Sequence, residues 1–320
     1  MWGLGETVDH RAGVRLEFRS MKLRALSGVV LCCLSGFAVA AYAQERPAIT
    51  GIAFVRMYAA DPVASEAFYG KTLGYKKVVG DGGVARYGVN PSQWMEVEAL
   101  PAGAPATRMP VVALTTRDVP AMERYLAAHK VAVTGRLTAG GFLVRDPEGN
   151  LIGFMQTGAM KGKLEMSANA TSRRIIHAGF VVNDRAVEDG FYRGVLGFHT
   201  YWQGGQKDGQ LDYMSLQVPD GTDWLEYMLN TGQTMNPRQM GVMNHFSLGV
   251  AKMSDAMEAL ARNGCSGGDC SKTQMGRDGK VQLNLFDPDL TRVEFMEYKP
   301  SGVICCTEFK GKHPGPDEDQ

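Results

Sequence analysis

The chain repeats itself. Phe68-Tyr-Gly-Lys-Thr-Leu-Gly74 returns as Phe191-Tyr-Arg-Gly-Val-Leu-Gly197, and Trp94-Met-Glu96 returns as Trp224-Leu-Glu226. Asp146-Pro-Glu returns as Asp287-Pro-Asp, each time before an apolar strand ending in Phe-Met. Whatever this chain folds into must therefore be built twice. Each copy divides again. Residues 175–182 are rich in Ile, Val and Phe and suit a strand, Asp184 can cap a helix over 185–195, and Gly197 ends it. Strands are expected near 198–203, 210–218 and 223–229. The order then recurs: a strand at 243–250, a Ser254-capped helix to about Arg262, a Gly/Cys loop, and strands at 280–286 and 291–298 around an Asp287-Pro288 turn. The unit is βαβββ, with the early strand of the last copy poorly marked. The first half gives the same order from 49–58 and from 111–116. Four such units predict an α+β protein with curved sheets, divided as 44–157, a linker at 158–173, and 174–299.

Composition removes several alternatives. Lys plus Arg number 34 and Asp plus Glu number 34, so no net charge favours a nucleic acid or a membrane surface as partner. A chain 44% hydrophobic and 21% charged has apolar surface to bury and is not disordered throughout. The 39 glycines suit strands and turns better than a helical bundle.

Residues 21–43 have the pattern of a secretory signal peptide. Lys22 and Arg24 precede an apolar stretch from Ala25 to Ala40, and Ala41-Tyr42-Ala43 offers small residues for cleavage after Ala43. A membrane anchor is the other reading, but the apolar run is short and no basic stop follows it. Cys32 lacks the small residues that a lipoprotein site wants before it. Residues 1–20 look like translated upstream sequence. The expected location is periplasmic or secreted, with no membrane association after cleavage. In an oxidising compartment Cys265, Cys270, Cys305 and Cys306 have three possible pairings. Cys265 and Cys270 can close a small loop. A bond between neighbouring Cys305 and Cys306 would close a strained ring, so a bond to some other cysteine is expected. The spacing matches no common zinc site. The Cys-containing segment 300–320 is expected to be a mobile tail.

The second half carries a numerical symmetry. His177 precedes Glu226 by 49 residues, and His245 precedes Glu294 by 49. Each unit thus offers a His on its first strand and a Glu on its last. If two units pack about a pseudo-twofold axis, the four side chains converge. Two imidazoles and two carboxylates suit one divalent transition metal. Glu226 and Glu294 sit in Trp-Leu-Glu-Tyr-Met and Arg-Val-Glu-Phe-Met, where a buried carboxylate is costly unless paired or coordinated. The opposing reading has both Glu on solvent-facing edges and both His as satisfied core residues. The matched spacing favours coordination.

These features resemble the vicinal oxygen chelate superfamily, which includes glyoxalase I, extradiol dioxygenases and bleomycin-resistance proteins. The resemblance spans about residues 49–298 and rests on Phe-Tyr-x-x-x-Leu-Gly, the first-strand His, and Asp-Pro followed by Glu294. It implies two half-barrel domains made of paired βαβββ modules, with His177, Glu226, His245 and Glu294 as ligands of one metal ion: Zn, Ni, Co, Mn or Fe. The corresponding first-half positions are Gly51, Glu96, Val111 and Gly153, so that half is expected to have lost its site, with Glu96 solvated or a relic.

The resemblance implies a small-molecule substrate that binds through two neighbouring oxygens. In a glyoxalase-like lyase or isomerase, Glu226 or Glu294 moves a proton as general base. In an extradiol-type Fe(II) dioxygenase, His177, His245 and Glu294 form a facial triad. The four-ligand set favours the first. So does the absence of His from residues 200–244, since extradiol enzymes carry an acid-base His there and His199 lies too early. A resistance-type protein that binds a ligand without turnover is the third reading. Strand alternation puts Gly179, Trp224, Met228, Ser247, Arg292 and Met296 on the ligand face. Arg292 can hold a substrate carboxylate or be a salt-bridged rim residue. Trp224 can contact substrate or pack the barrel. His129 is expected on a helix surface and His313 in the tail. A monomer or homodimer is expected.

Overall fold

The computed structural model describes residues 45–104, 106–138, 140–232 and 234–316; the expected upstream segment 1–20, the signal segment 21–43 and its cleavage after Ala43 lie outside them. In the first half, β1 (Ile49–Ala59) leads to α1 (Pro62–Glu66), then β2 (Lys77–Val79), β3 (Ala85–Gly88) and β4 (Trp94–Ala99). The next unit is β5 (Val111–Thr116), α2 (Val119–Ala128), β6 (Val133–Leu137), β7 (Gly141–Arg145) and β8 (Leu151–Gln156). The second half repeats this with β9 (Ile175–Val181), α3 (Arg185–Asp189), β10 (His199–Gly204), β11 (Tyr213–Gln217) and β12 (Trp224–Met228). After α4 (Pro237–Met243) come β13 (His245–Val250), α5 (Met253–Arg262), β14 (Thr273–Met275), β15 (Val281–Phe286) and β16 (Arg292–Glu297).

Local chemistry explains the repeat. Asp61 caps α1 by accepting from the backbone N–H of Val63 and Ala64, and Asp184 caps α3 by accepting from Ala186 and Val187. Gly74 and Gly197 then turn the chain at φ 77° and 78°, where a side chain would be strained. Ser254 does not cap α5. That helix begins two residues earlier, with Lys252 at the cap position, and its Met253 N–H is met by the Glu297 carboxylate of β16 at 2.9 Å.

Each half is one eight-stranded sheet, ordered β2-β3-β4-β1-β5-β8-β7-β6 and β10-β11-β12-β9-β13-β16-β15-β14. The four modules pair two by two through the antiparallel contacts β1–β5 and β9–β13. One apolar core runs through both halves, and each sheet's concavity holds a separate cluster. The repeated motifs lock the halves reciprocally: Tyr69 donates to Asp287 at 2.8 Å, and Tyr192 donates to Asp146 at 3.0 Å.

Two expectations at the C-terminus give way. Cys265 bonds Cys270, and Cys305 bonds its neighbour Cys306, where a left-handed turn at Cys306 (φ 77°) lets adjacent side chains meet. Residues 300–316 are docked along the second half: the Gln217 side chain donates to the Lys312 carbonyl and Arg174 to that of Gly315. A stretch dominated by Gly, Pro and charge hides the side chains that anchor it.

Candidate metal centre

His177, Glu226, His245 and Glu294 stand on the four central strands β9, β12, β13 and β16. Register brings them together. Trp224 pairs with His177 and Glu226 with Gly179 across β12–β9; His245 pairs with Gly179 and Ser247 with His177 across β13–β9; Ser247 pairs with Glu294 across β13–β16. Residues two apart share a face, so all four side chains project into one concavity.

His177 Nε2 lies 3.1 Å from His245 Nε2 and 3.1 Å from Glu294 Oε2. One donor atom from each of these three residues falls within 4.8 Å of the others. Glu226 stands beside this trio, its Oε2 3.5 Å from His245 Nε2. His245 Nδ1 lies 3.0 Å from the Met243 carbonyl, which can only accept; Nδ1 therefore carries the proton and Nε2 faces the centre with its lone pair. Burial opposes charge on Glu294, but Arg292 and the hydrogen bond with His177 outweigh it and bring its pKa to about 2. Burial opposes charge on Glu226 too, and His245 and His177 pull its pKa down. Burial, then Arg292, lowers that of His245. A neutral His245 beside ionised carboxylates is ready to bind a cation, and two nitrogens with one or two oxygens suit a divalent transition metal. Buried Ser247 Oγ and His177 Nδ1 have no partner among the described residues.

Two neighbours set the ligand geometry. Trp224 stacks on the His177 ring at 4.7 Å between centroids. Gly179 makes room for His245: a Cβ there would lie 2.2 Å from His245 Cε1. Glu226 and Glu294 border a cavity of about 260 Å³, whose wall includes Arg292, Trp224, Tyr213 and Phe309. Arg292 reaches within 3.9 Å of Glu294, and its Nε is buried without a partner among the described residues. The sequence reading missed Phe309, Tyr201 and Lys280. Lys280 is fully buried; its Nζ lies 4.5 Å over the Trp224 ring and donates to Tyr201 Oη at 3.2 Å. Burial pushes its pKa down to about 8. Nothing in its local sequence marks a lysine for burial. His129 ends α2 on the Tyr125 ring, whereas His313 accompanies Tyr201, Nδ1 to Oη 2.6 Å.

The first half corrects the expected correspondence. Trp94 pairs with Phe54 and Glu96 with Arg56, so Phe54, not Gly51, matches His177. The repeated motif gives the same match: Phe68 lies 14 residues after Phe54, as Phe191 lies 14 after His177. Val111 and Gly153 do occupy the register positions equivalent to His245 and Glu294. Glu96 is neither solvated nor idle. It is 2% exposed and accepts from Arg56 at 2.7 and 2.9 Å, Arg86 at 2.9 Å and the Trp94 indole at 3.1 Å. Two guanidinium groups meet its charge. Met160, from the linker, joins the buried cluster of this concavity with Phe54 and Trp94.

Comparison with known proteins agrees with this architecture. Residues 174–295 match the family described as the Glyoxalase/Bleomycin resistance protein/Dioxygenase superfamily. No curated protein sequence matches the chain. Among solved structures, the 2,3-dioxygenase LapB from Pseudomonas sp. KL28 is similar with a TM-score of 0.59 at 14% identity, covering 86% of this chain and 96% of that one. Homoprotocatechuate 2,3-dioxygenase from Brevibacterium fuscum, in complex with 3,4-dihydroxyphenylacetate, gives 0.55 at 18% identity, covering 79% and 82%. The Arthrobacter globiformis homoprotocatechuate 2,3-dioxygenase gives 0.57 at 17%, covering 79% and 81%. At these identities the likeness shows a shared fold.

Proposed function

We propose, from the match of residues 174–295 to the glyoxalase/bleomycin resistance protein/dioxygenase superfamily, that the protein is an exported metal-dependent enzyme acting on a small substrate with two neighbouring oxygens. The reaction we favour is a glyoxalase-like lyase or isomerase step, a proton transfer beside a carbonyl or hydroxyl. One observation carries this reading: Glu226 borders the cavity next to, but outside, the close trio of His177, His245 and Glu294. Those three would hold the cation, with Glu226 near enough to complete the set. A bound divalent cation would supply Lewis acidity, stabilising negative charge that develops on a substrate oxygen. The chain supplies the rest. Glu226, ionised at neutral pH, takes the proton from substrate and returns it. Arg292 faces the cavity, its Nε has no partner among the described residues, and it can hold an anionic substrate group. Trp224 keeps the His177 imidazole in place and offers its edge to the substrate.

The trio also favours a second reading. Two His and one carboxylate can by themselves form the facial arrangement used with Fe(II), and the structural neighbours are dioxygenases. The test is metal analysis of the purified chain, followed by oxygen uptake with catechols. Zinc, nickel or cobalt without oxygen consumption supports the lyase or isomerase. Bound iron with oxygen consumption selects the dioxygenase. No bound metal, with tight binding of a small ligand, overturns both in favour of a binding protein.

A further inference from the structure

The sheet of the second half is open between its outer strands, β10 and β14. The C-terminal segment spans that opening. On one side it follows β10: Lys310 N–H donates to the Tyr201 carbonyl at 2.9 Å, Gln203 N–H donates to Thr307 Oγ1 at 3.1 Å, and Thr307 Oγ1 donates back to the Gln203 carbonyl at 2.9 Å. On the other side it holds the β14–β15 turn: Ser301 and Gly302 N–H donate to the Gly279 carbonyl, and Cys305 N–H to that of Arg277. Between these anchors the segment turns Phe309 inward. Its ring packs on Tyr201 at 4.8 Å, lies 5.2 Å from Lys280 Nζ and borders the cavity. His313, 4.7 Å from the Phe309 ring, holds the Tyr201 hydroxyl.

The first half shows what the equivalent segment does there. The residues after β8 enter the first concavity, where Met160 is buried against Phe54 and Trp94, and Leu164 packs beside it. The residues after β16 take the corresponding place but stay at the rim, leaving the cavity of about 260 Å³ open. A plug in one copy is a wall in the other.

We propose that Phe309 is a specificity-determining residue: the C-terminal strap closes the open side of the cup, and the Phe309 ring sets how large a substrate reaches the centre. This rests on the proposed function for the identity of the ligand but not for the existence of the wall. Removing the ring in Phe309→Ala extends the cavity toward Tyr201 and Lys280 without touching His177, His245, Glu226 or Glu294.

The test uses the full chain loaded with cobalt(II) and two chelators of graded size, catechol and naphthalene-2,3-diol, with binding read from the cobalt absorption. In Phe309→Ala the affinity for the diol relative to catechol rises at least about tenfold, Phe309→Leu falls between, and the cobalt affinity itself is unchanged. An unchanged ratio in both variants overturns the proposal. So does a parallel loss of cobalt binding, which marks a merely structural role. A second readout does not depend on the chelators: acrylamide quenching of the cavity tryptophans Trp202 and Trp224 rises in Phe309→Ala, and no rise overturns the wall. If the unsubstituted protein binds neither chelator, the vicinal-oxygen reading fails, and quenching alone decides the role of Phe309.

Discussion

Phe54 takes the register position against Trp94 that His177 takes against Trp224. The stacking is kept as well: the ring centroids lie 4.9 Å apart in the first half and 4.7 Å in the second. The indole therefore has a packing role common to both halves, and only the second uses it to orient a ring that can bind a cation. The same comparison explains Gly179. Its counterpart Arg56 extends toward Glu96 where Val111 leaves space, while in the second half His245 fills that space. One concavity neutralises its carboxylate with guanidinium groups, and the other gathers two imidazoles beside its two carboxylates.

The two carboxylates of the centre should separate on substitution. Glu294→Gln removes the oxygen within 3.1 Å of His177 and is expected to weaken cobalt(II) binding by at least about a hundredfold. Glu226→Gln keeps the trio and is expected to weaken it far less. Its effect falls on turnover, a loss of about 10²–10⁴-fold in kcat, the usual worth of a general base. Titration with cobalt(II) and turnover of any identified substrate check this. Equal losses of metal binding would make Glu226 an ordinary ligand and leave the proton transfer without its base.

Gly179→Ala adds only a methyl group, but its position is 2.2 Å from His245 Cε1. The ring must rotate or β9 must shift, since atoms never approach so closely. The expected result is loss of cobalt(II) affinity with modest loss of stability, because overpacking costs typically ~1–3 kcal/mol. Metal titration beside thermal unfolding checks it; intact affinity would show that the ring has another place to go.

The spacing of His177, Glu226, His245 and Glu294 was legible because one unit is copied, and equal spacing on equal strands puts side chains on one face. The match for His177 is Phe54 and not Gly51, and it was legible, since each lies 14 residues before its Phe-Tyr motif. What was hidden depends on contacts that no short motif encodes. Arg86 reaches Glu96 from β3, across the sheet. Lys280 looks like a turn-exposed lysine after Gly279 until Trp224, Tyr201 and Phe309 gather around it. Phe309 itself is one aromatic in a stretch whose composition suggests a loose end. The Cys305–Cys306 bond was discounted on ring strain, and the local turn decides it.

The guanidinium replacement in the first half predicts a stability effect without a functional one. Glu96 is buried between Arg56 and Arg86. Arg86→Met leaves part of its charge unmet, and breaking a buried pair on one side costs about 3–5 kcal/mol. Arg86→Met combined with Glu96→Gln should recover much of that, because the remaining group is neutral. Denaturant unfolding measures both. Cobalt(II) affinity at the second-half centre should stay unchanged in each, which tests whether the first half acts only as support.

The contact between the halves predicts a dependence on pH. Glu188 is fully buried; its Oε1 accepts from the Glu148 N–H at 2.8 Å, and its Oε2 has no partner among the described residues. Burial, followed by the charges of Asp146, Glu148 and Asp184, raises its pKa from 4.5 to about 8. Between those values the folded protein holds a proton that the unfolded chain releases. Stability from this group is therefore fully present below its ordinary pKa and is lost as pH rises through about 8. Asp287, raised by burial to about 6, acts with the same sign over a lower window. Thermal unfolding of the metal-free protein should thus fall between about pH 5 and about pH 8.5, by an amount on the order of a few kcal/mol. Glu188→Gln cannot ionise, so it should flatten the upper part of that slope and leave the variant the more stable form above about pH 8. A slope identical in both proteins would place the ionisation elsewhere, and the Asp146–Tyr192 contact would then have to accommodate a charged Glu188 without cost.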